Sequence, residues 1–247
     1  MKKSHSLSSL RKWTLFEAAA DFFHFQNRDY PRAAALEWVG NRYALPKVER
    51  QLLLRGVFSQ REALSRRTKR LRGAGWRNGL LVVDGHNVQI TIESHLEDRI
   101  LLRANDGALR DIAGQSARFR FTETSAMAID MIFRFLRDFP PNGVLFLFDA
   151  PMSRSGEMAS RYREELRKAK LAGDARAVPV PEREFPSSNH TAASSDGAVL
   201  NSCLSWIDLA GSVIEYLGSP DLTVDFSPFL YSAYPITDLL RDDDQLL

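Results

Sequence analysis

Four aspartates stand where a carboxylate can do chemistry: Asp84 in VVDGHN, Asp149 in FLFDAP, Asp196 in ASSDGA, and Asp208 after Trp206 and Ile207. The first three close short apolar runs, and Asp208 falls at an expected helix start. Carboxylates crowded within a few ångströms repel one another unless a cation neutralises them or some take up protons. An oxygen-only set of this kind suits Mg²⁺ or Mn²⁺. Asp84, Asp149, Asp196 and Asp208 are therefore the candidate catalytic and metal-holding residues. Neither CxxC nor HExxH occurs and the five histidines are scattered, which leaves zinc little support. Gly85 permits close backbone approach, and Asn87, three residues after Asp84, can hold a metal-bound water or a phosphate oxygen. Each aspartate also has a plainer role open to it as a helix N-cap or turn residue.

Two further stretches bear on a phosphate-containing substrate. ANDGALRD offers Asp106, Arg110 and Asp111 in a polar insertion that either reaches over the acidic pocket or forms a capped turn. SRSGE, with Ser153, Arg154, Ser155 and Glu157, follows Asp149 and opens a helix. Its backbone N–H groups and Arg154 can hold a phosphate, or Ser155 can simply cap the helix.

These residues need elements to position them. LLVVD (80–84) and VLFLFD (144–149) are continuous apolar runs ending in a carboxylate, as parallel strands buried on both faces require. Between them Ile129, Ile132, Phe133 and Leu136 form one stripe of a helix over 125–139, closed by Pro140 to Gly143. A charged helix follows over 155–172, then a short strand over 175–180, a strand of small residues over 190–196, and a mostly helical stretch over 200–216. After Gly218 the composition predicts an irregular tail (219–247). In parallel sheets ligands bind beyond the carboxyl ends of the strands, which is where Asp84, Asp149 and Asp196 fall.

Before residue 79 the pattern is helical. Thr14 with Glu17 has capping-box spacing ahead of Leu15, Ala18, Ala19, Phe22, Phe23 and Phe25. Pro31 and Pro46 suit first helical turns, and Ser59 with Glu62 opens a basic helix that ends near Gly73, before the linker GAGWRNG. The expected organisation is a basic helical domain over 1–73 and an α/β domain over 79–218.

The chain has 247 residues, 44% hydrophobic and 26% charged, which suits one large or two small globular domains. Its net charge of +2 conceals +11 over residues 1–78 and −9 over the remainder. Arg61, Arg66, Arg67, Lys69, Arg70 and Arg72 make the basic part suited to a polyanion, or to a solvated helix face. No apolar run approaches the roughly 18 residues that span a bilayer, so no membrane partner is expected. The single cysteine, Cys203, allows no disulfide within the chain, and a reducing, cytoplasmic setting is the expectation. Oligomeric state is left open by these features.

LLVVDGHNV, VLFLFDAP and ASSDGAV, in this order, resemble the PIN-like nuclease superfamily, particularly its NYN branch, with Asp84, Asn87, Asp149 and Asp196 on the matching motif positions. The whole chain more closely resembles an uncharacterised prokaryotic family catalogued as domain of unknown function 434, a small helical domain followed by a PIN-like domain. NRDYPRAAALEWVGNRY, LLRANDGALRDIAG, DAPMSRSGE and WIDLAGSVI carry that likeness over about nine-tenths of the chain. The resemblance implies a Mg²⁺-dependent ribonuclease, with acidic side chains holding the metal that activates water. The chain departs from the pattern in Ser194-Ser195-Asp196, where threonine often precedes the aspartate, and Glu123 is the candidate for a helix-borne acid.

The function expected is thus hydrolysis of RNA phosphodiesters, with RNA drawn by the basic helices. Trp13, Tyr43 and Trp76 are candidates either to stack on bases or to pack in the core. Two rivals stand beside it: a non-catalytic RNA-binding or regulatory protein that keeps the fold with an incomplete acidic site, and a metal-dependent phosphatase or nucleotide-processing enzyme on a similar sheet, against whose aspartyl-phosphate version the lack of a DxD pair after the first strand counts.

Overall fold

A computed structural model describes residues 9–112, 121–151, 154–185, 190–218 and 224–229. In chain order the main elements are α1 (Ser9–Gln26), α2 (Arg32–Arg42), α3 (Lys47–Gly56), α4 (Gln60–Lys69), β1 (Leu80–Asp84), α5 (Gly85–Leu96), β2 (Leu101–Arg103), β3 (Leu109–Asp111), α6 (Glu123–Asp138), β4 (Gly143–Asp149), α7 (Ser155–Ala169), β5 (Gly173–Val178), β6 (His190–Ala193), α8 (Gly197–Ser202), β7 (Trp206–Ile207), α9 (Leu209–Leu217) and β8 (Val224–Asp225). They divide into two compact units, one of residues 1–67, 100–112 and 222–247, the other of residues 68–99 and 113–221.

The first unit is built on the apolar stripe of α1. Leu15, Ala18, Ala19, Phe22 and Phe23 recur at helical spacing and are buried with Leu52, Leu53 and Val57. Two segments distant in sequence complete this core. β2 pairs antiparallel with β3 and parallel with β8, and Phe226 and Phe229 bring their rings to 5.8 Å from that of Phe16. The helical region therefore carries a small sheet, and part of the stretch expected as an irregular tail is a strand. The rest of that tail, 219–223 and 230–247, lies outside the described residues.

The second unit is a five-stranded, all-parallel sheet in the order β5-β4-β1-β6-β7, flanked by helices. The expected α/β class and parallel strands hold. β1 is central, and its three middle residues are buried because both faces of the sheet are covered. α6 is amphipathic as read, opened by a reciprocal Thr122–Ser125 capping box.

Several local expectations are corrected. Thr14 lies inside α1, five residues after Ser9, so it does not open the helix. Pro31 and Pro46 occupy the N-cap positions of α2 and α3 rather than their first turns. Residues 206–207, expected in a helix, form the edge strand β7. Helix α5 was not expected at all: GHNVQITIESHL is buried nearly all round, so it has no polar stripe to mark its period.

Candidate functional site

The chain leaves β1 toward β4 and leaves β6 toward β7, in opposite directions across the sheet. A crevice opens at such a switch point, beyond the carboxyl ends of the two strands. The residues there are Asp84, Asn87, Ser194, Ser195 and Asp196.

The register sets the acids relative to one another. Asp84 is level with Leu147 on β4, and Asp149 lies two residues further along, on the same side of the pleat and roughly 7 Å onward. Val83 is level with Ala193, and Ala193 with Ile207, so Ser194 and Asp208 continue at the level of Asp84 on the other side. Asp196 follows two residues past Ser194. Asp84, Asp149 and Asp196 are all partly exposed. α6 joins β4 through residues 139–142 alone, so it runs back along the sheet and its exposed first-turn Glu123 lies toward the same edge.

Hydrogen bonds hold this edge in shape. Asp84 caps α5: its Oδ1 accepts from the Asn87 N–H at 3.2 Å, and its Oδ2 accepts from the Ser194 hydroxyl at 3.0 Å. The Asn87 side-chain oxygen, Oδ1, accepts from both the N–H and the hydroxyl of Ser195, at 2.8 and 3.0 Å. Two side chains of one strand end are thus tied to two consecutive serines of the next. Asp196 caps α8 through the N–H groups of Ala198 and Val199. Capping leaves lone pairs on each carboxylate, because an ionised oxygen accepts more than one bond.

His86 and Ser155 bind Asp149 from both sides. The Asp149 N–H donates to His86 Nδ1 at 3.2 Å, and the Ser155 hydroxyl donates to the Asp149 carbonyl at 2.5 Å. Burial lowers the His86 pKa to about 4, so the ring is neutral at pH 7 and free to accept at Nδ1. Ser155 is buried at the start of α7, whereas Arg154 is exposed, has a left-handed backbone (φ 67°), gives no side-chain cap and lies 3.4 Å from Glu157. Ser153 lies outside the described residues.

Gly85 does meet a close approach, but its neighbour is protein. A Cβ there would come within 2.5 Å of Phe148 Cε1, so α5 can start against β4 only from a glycine.

Other expected site residues are placed elsewhere. Asp208 is buried, caps α9 through the Gly211 N–H at 3.1 Å, and faces the Arg70 guanidinium at 3.5 Å. Asp106 and Arg110 belong to the first unit. Asp106 is wholly buried, takes both forks of Arg110 at 2.8 Å and Arg66 at 2.9 Å, and closes a turn on the Ala108 N–H. They form an internal ion pair rather than a solvent-facing contact, so the capped-turn alternative describes this segment. Asp111 is also buried in that unit, 3.9 Å from Arg55.

The basic run of α4 is largely engaged in the same way. Arg67 donates to the carbonyls of Asn105 and Ser227, and Lys69 to those of Leu200 and Asn201. Of the aromatic candidates, Trp76 is buried and stacked on Phe135, and Tyr43 donates its hydroxyl to Asp21. Trp13 remains exposed.

By donor type, Asp84, Asp149 and Asp196 suit Mg²⁺ or Mn²⁺. Among the described residues, no three His, Cys, Asp or Glu side chains are gathered closely enough to hold an ion. No described helix is long and apolar enough to cross a membrane. Sequence reasoning did not single out Ser194 or His86; the adjacency of GHN to one strand end and SSD to another was the available signal.

Residues 74–212 match a family model described as Domain of unknown function (DUF5616), and residues 14–69 one described as Protein of unknown function (DUF434). The likeness expected of the latter over most of the chain is confined to its helical part, and the former begins inside the glycine-bearing stretch expected as the linker. The Uncharacterized protein MJ0935 of Methanocaldococcus jannaschii is 27% identical over 203 residues, covering 81% of this chain and 97% of that protein. No solved structure matches the chain.

Proposed function

The chain belongs to the DUF5616 family, and from the acidic edge of its sheet we propose that it is a PIN-like, metal-dependent ribonuclease. The observation that carries this reading is the acidic edge at the switch point: Asp84 and Asp149 end adjacent parallel strands on one side of the pleat, and Asp196 caps the helix that follows the next strand, β6. Asp84, Asp149 and Asp196 would hold Mg²⁺ or Mn²⁺. Asp208, buried against Arg70, steadies α9 and drops out of the ligand set. The ion, when bound, lowers the pKa of its water and stabilises charge on the phosphate.

The chain's own groups do the rest. Ser194 and Asn87 fix the direction of the Asp84 carboxylate, as outer-shell partners do at metal sites. Ser155 locks α7 against the end of β4, which brings the first-turn N–H groups of α7 and exposed Arg154 to the edge where a phosphate oxygen needs donors.

The non-catalytic RNA-binding reading has one observation in its favour, the absence of three gathered ligands among the described residues. Metal titration and cleavage separate the two. Purified wild type should bind Mn²⁺ and cleave an RNA pool with Mg²⁺ or Mn²⁺ but not with EDTA, and Asp84→Asn should lose both properties. Equal cleavage by the mutant would expose a contaminant and remove the enzyme reading.

A further inference from the structure

Three aromatic rings meet at the surface of the first unit. Phe25, Tyr30 and Trp38 pack mutually edge to face, with centroids 5.2, 5.9 and 6.0 Å apart. Two of them are exposed, Trp38 at 51% and Tyr30 at 43%. Packing holds the Trp38 indole still, yet half of it faces water, a combination that core packing does not require. Beside it lies a groove of about 410 Å³, lined by Asp21, His24, Phe25, Trp38, Val39 and Arg42, within the range of about 300–1,000 Å³ that small-ligand sites occupy.

The chemistry of the lining selects among ligands. Asp21 Oδ2 accepts from the Tyr43 hydroxyl at 2.9 Å and lies 3.5 Å from Arg42 Nε. The carboxylate charge is thus already countered, which disfavours an ammonium ligand. Oδ1 takes no bond among the described residues and remains a directed acceptor. A flat ligand with an aromatic face, an N–H edge and a nearby negative charge satisfies Trp38, Asp21 and Arg42 together.

We propose that the groove between α1 and α2 binds one base of a single-stranded RNA, the base stacking on Trp38 and giving an exocyclic amino hydrogen to Asp21 Oδ1. Arg42, with its guanidinium exposed, takes the adjoining phosphate. Adenine and cytosine, which present an exocyclic amino group, are preferred over uracil, whose N3–H is flanked by two carbonyl oxygens that the carboxylate repels. This inference rests on the reading of the chain as one that acts on RNA, and it names the contact by which the helical region takes part.

The test is fluorescence anisotropy of labelled short oligo(A) and oligo(U) RNA on the full chain, in EDTA so that cleavage plays no part. Wild type should bind oligo(A) more tightly than oligo(U). Trp38→Ala should weaken oligo(A) binding by about ten- to a hundredfold, and Trp38→Phe, which preserves the ring cluster, by several-fold. In Asp21→Asn the amide must offer its oxygen to Tyr43 and its N–H groups to the base, so the preference for oligo(A) should vanish or reverse. Undiminished binding by both Trp38 variants overturns the proposal, as does equal binding of the two RNAs by wild type. AMP alone binding as tightly as the oligonucleotide would overturn the assignment to a strand. Loss of binding in Trp38→Ala with no metal-dependent cleavage by wild type leaves the groove standing and removes the nuclease; unchanged binding with cleavage lost in Asp84→Asn does the opposite.

Discussion

The Ser194 hydroxyl donates to Asp84 Oδ2 across 3.0 Å, joining the ends of two neighbouring strands whose residues are 110 apart in sequence. One oxygen of the aspartate is held by the next strand, the other by the first turn of its own helix. If Asp84 is a metal ligand, this bond sets its direction. Ser194→Ala should then weaken Mn²⁺ binding by roughly 10- to 100-fold while leaving the melting temperature nearly unchanged. Isothermal titration checks the first and a thermal melt the second; unaltered affinity would count against Asp84 as a ligand.

Gly85 tests how tightly α5 sits on the sheet. In Gly85→Ala the new methyl meets the Phe148 ring at 2.5 Å, and the ring is fully buried, so the helix start must shift. Overpacking of this kind costs about 1–3 kcal/mol. Urea unfolding should show that loss, and metal affinity should fall with it because Asp84 is the adjoining residue.

Asp106 governs the stability of the first unit. Asp106→Ala removes the wholly buried carboxylate that Arg110 and Arg66 share beside the Phe58 ring, leaving Arg66 with the more exposed Glu62 at 3.6 Å, at a cost of about 3–5 kcal/mol by urea titration.

The same carboxylate sets an acid limit. Burial by itself raises its pKa, but Arg110 and then Arg66 outweigh burial and lower it from 3.8 to about 2. A depressed folded-state value means the contribution is complete above the unfolded-state pKa and is lost as pH falls from about 4 through about 2. The loss over that window is about 2 kcal/mol, and it should be missing from the pH dependence of Asp106→Asn.

Tyr162 closes a buried polar chain in the second unit, donating to Gln89 Oε1 at 3.0 Å, while Gln89 donates to Glu93 at 2.7 Å. Burial, reinforced by the Glu93 charge, pushes the phenol pKa well above its usual value. Tyr162→Phe leaves a buried acceptor unfilled and should destabilise by about 1–3 kcal/mol in a urea titration.

The strand ends were legible because an apolar run closed by a carboxylate is a local pattern: LLVVD and VLFLFD announce buried parallel strands without reference to anything distant. α6 was legible for the same reason, its stripe of Ile129, Ile132, Phe133 and Leu136 repeating at the helical period. α5 was hidden because a helix covered on every side has no alternation to display. Asp84, Asp149 and Asp196 could be nominated from type and position; the parallel register then put Asp84 and Asp149 on one side of the pleat, and left Asp196 past the end of β6 as the cap of α8.

What the residues could not disclose was pairing over distance. Nothing local to Asp208 says that Arg70 faces it, and nothing in ANDGALRD says that Arg66 reaches Asp106 from forty residues away. Nor does the basic run reveal that Arg66, Arg67, Lys69 and Arg70 meet carbonyls or buried acids while Arg61 faces solvent. A charged side chain reads the same in sequence whether it is solvated or buried. Only folding decides which, because the cost of desolvating an ion is met by a partner that the chain supplies from elsewhere.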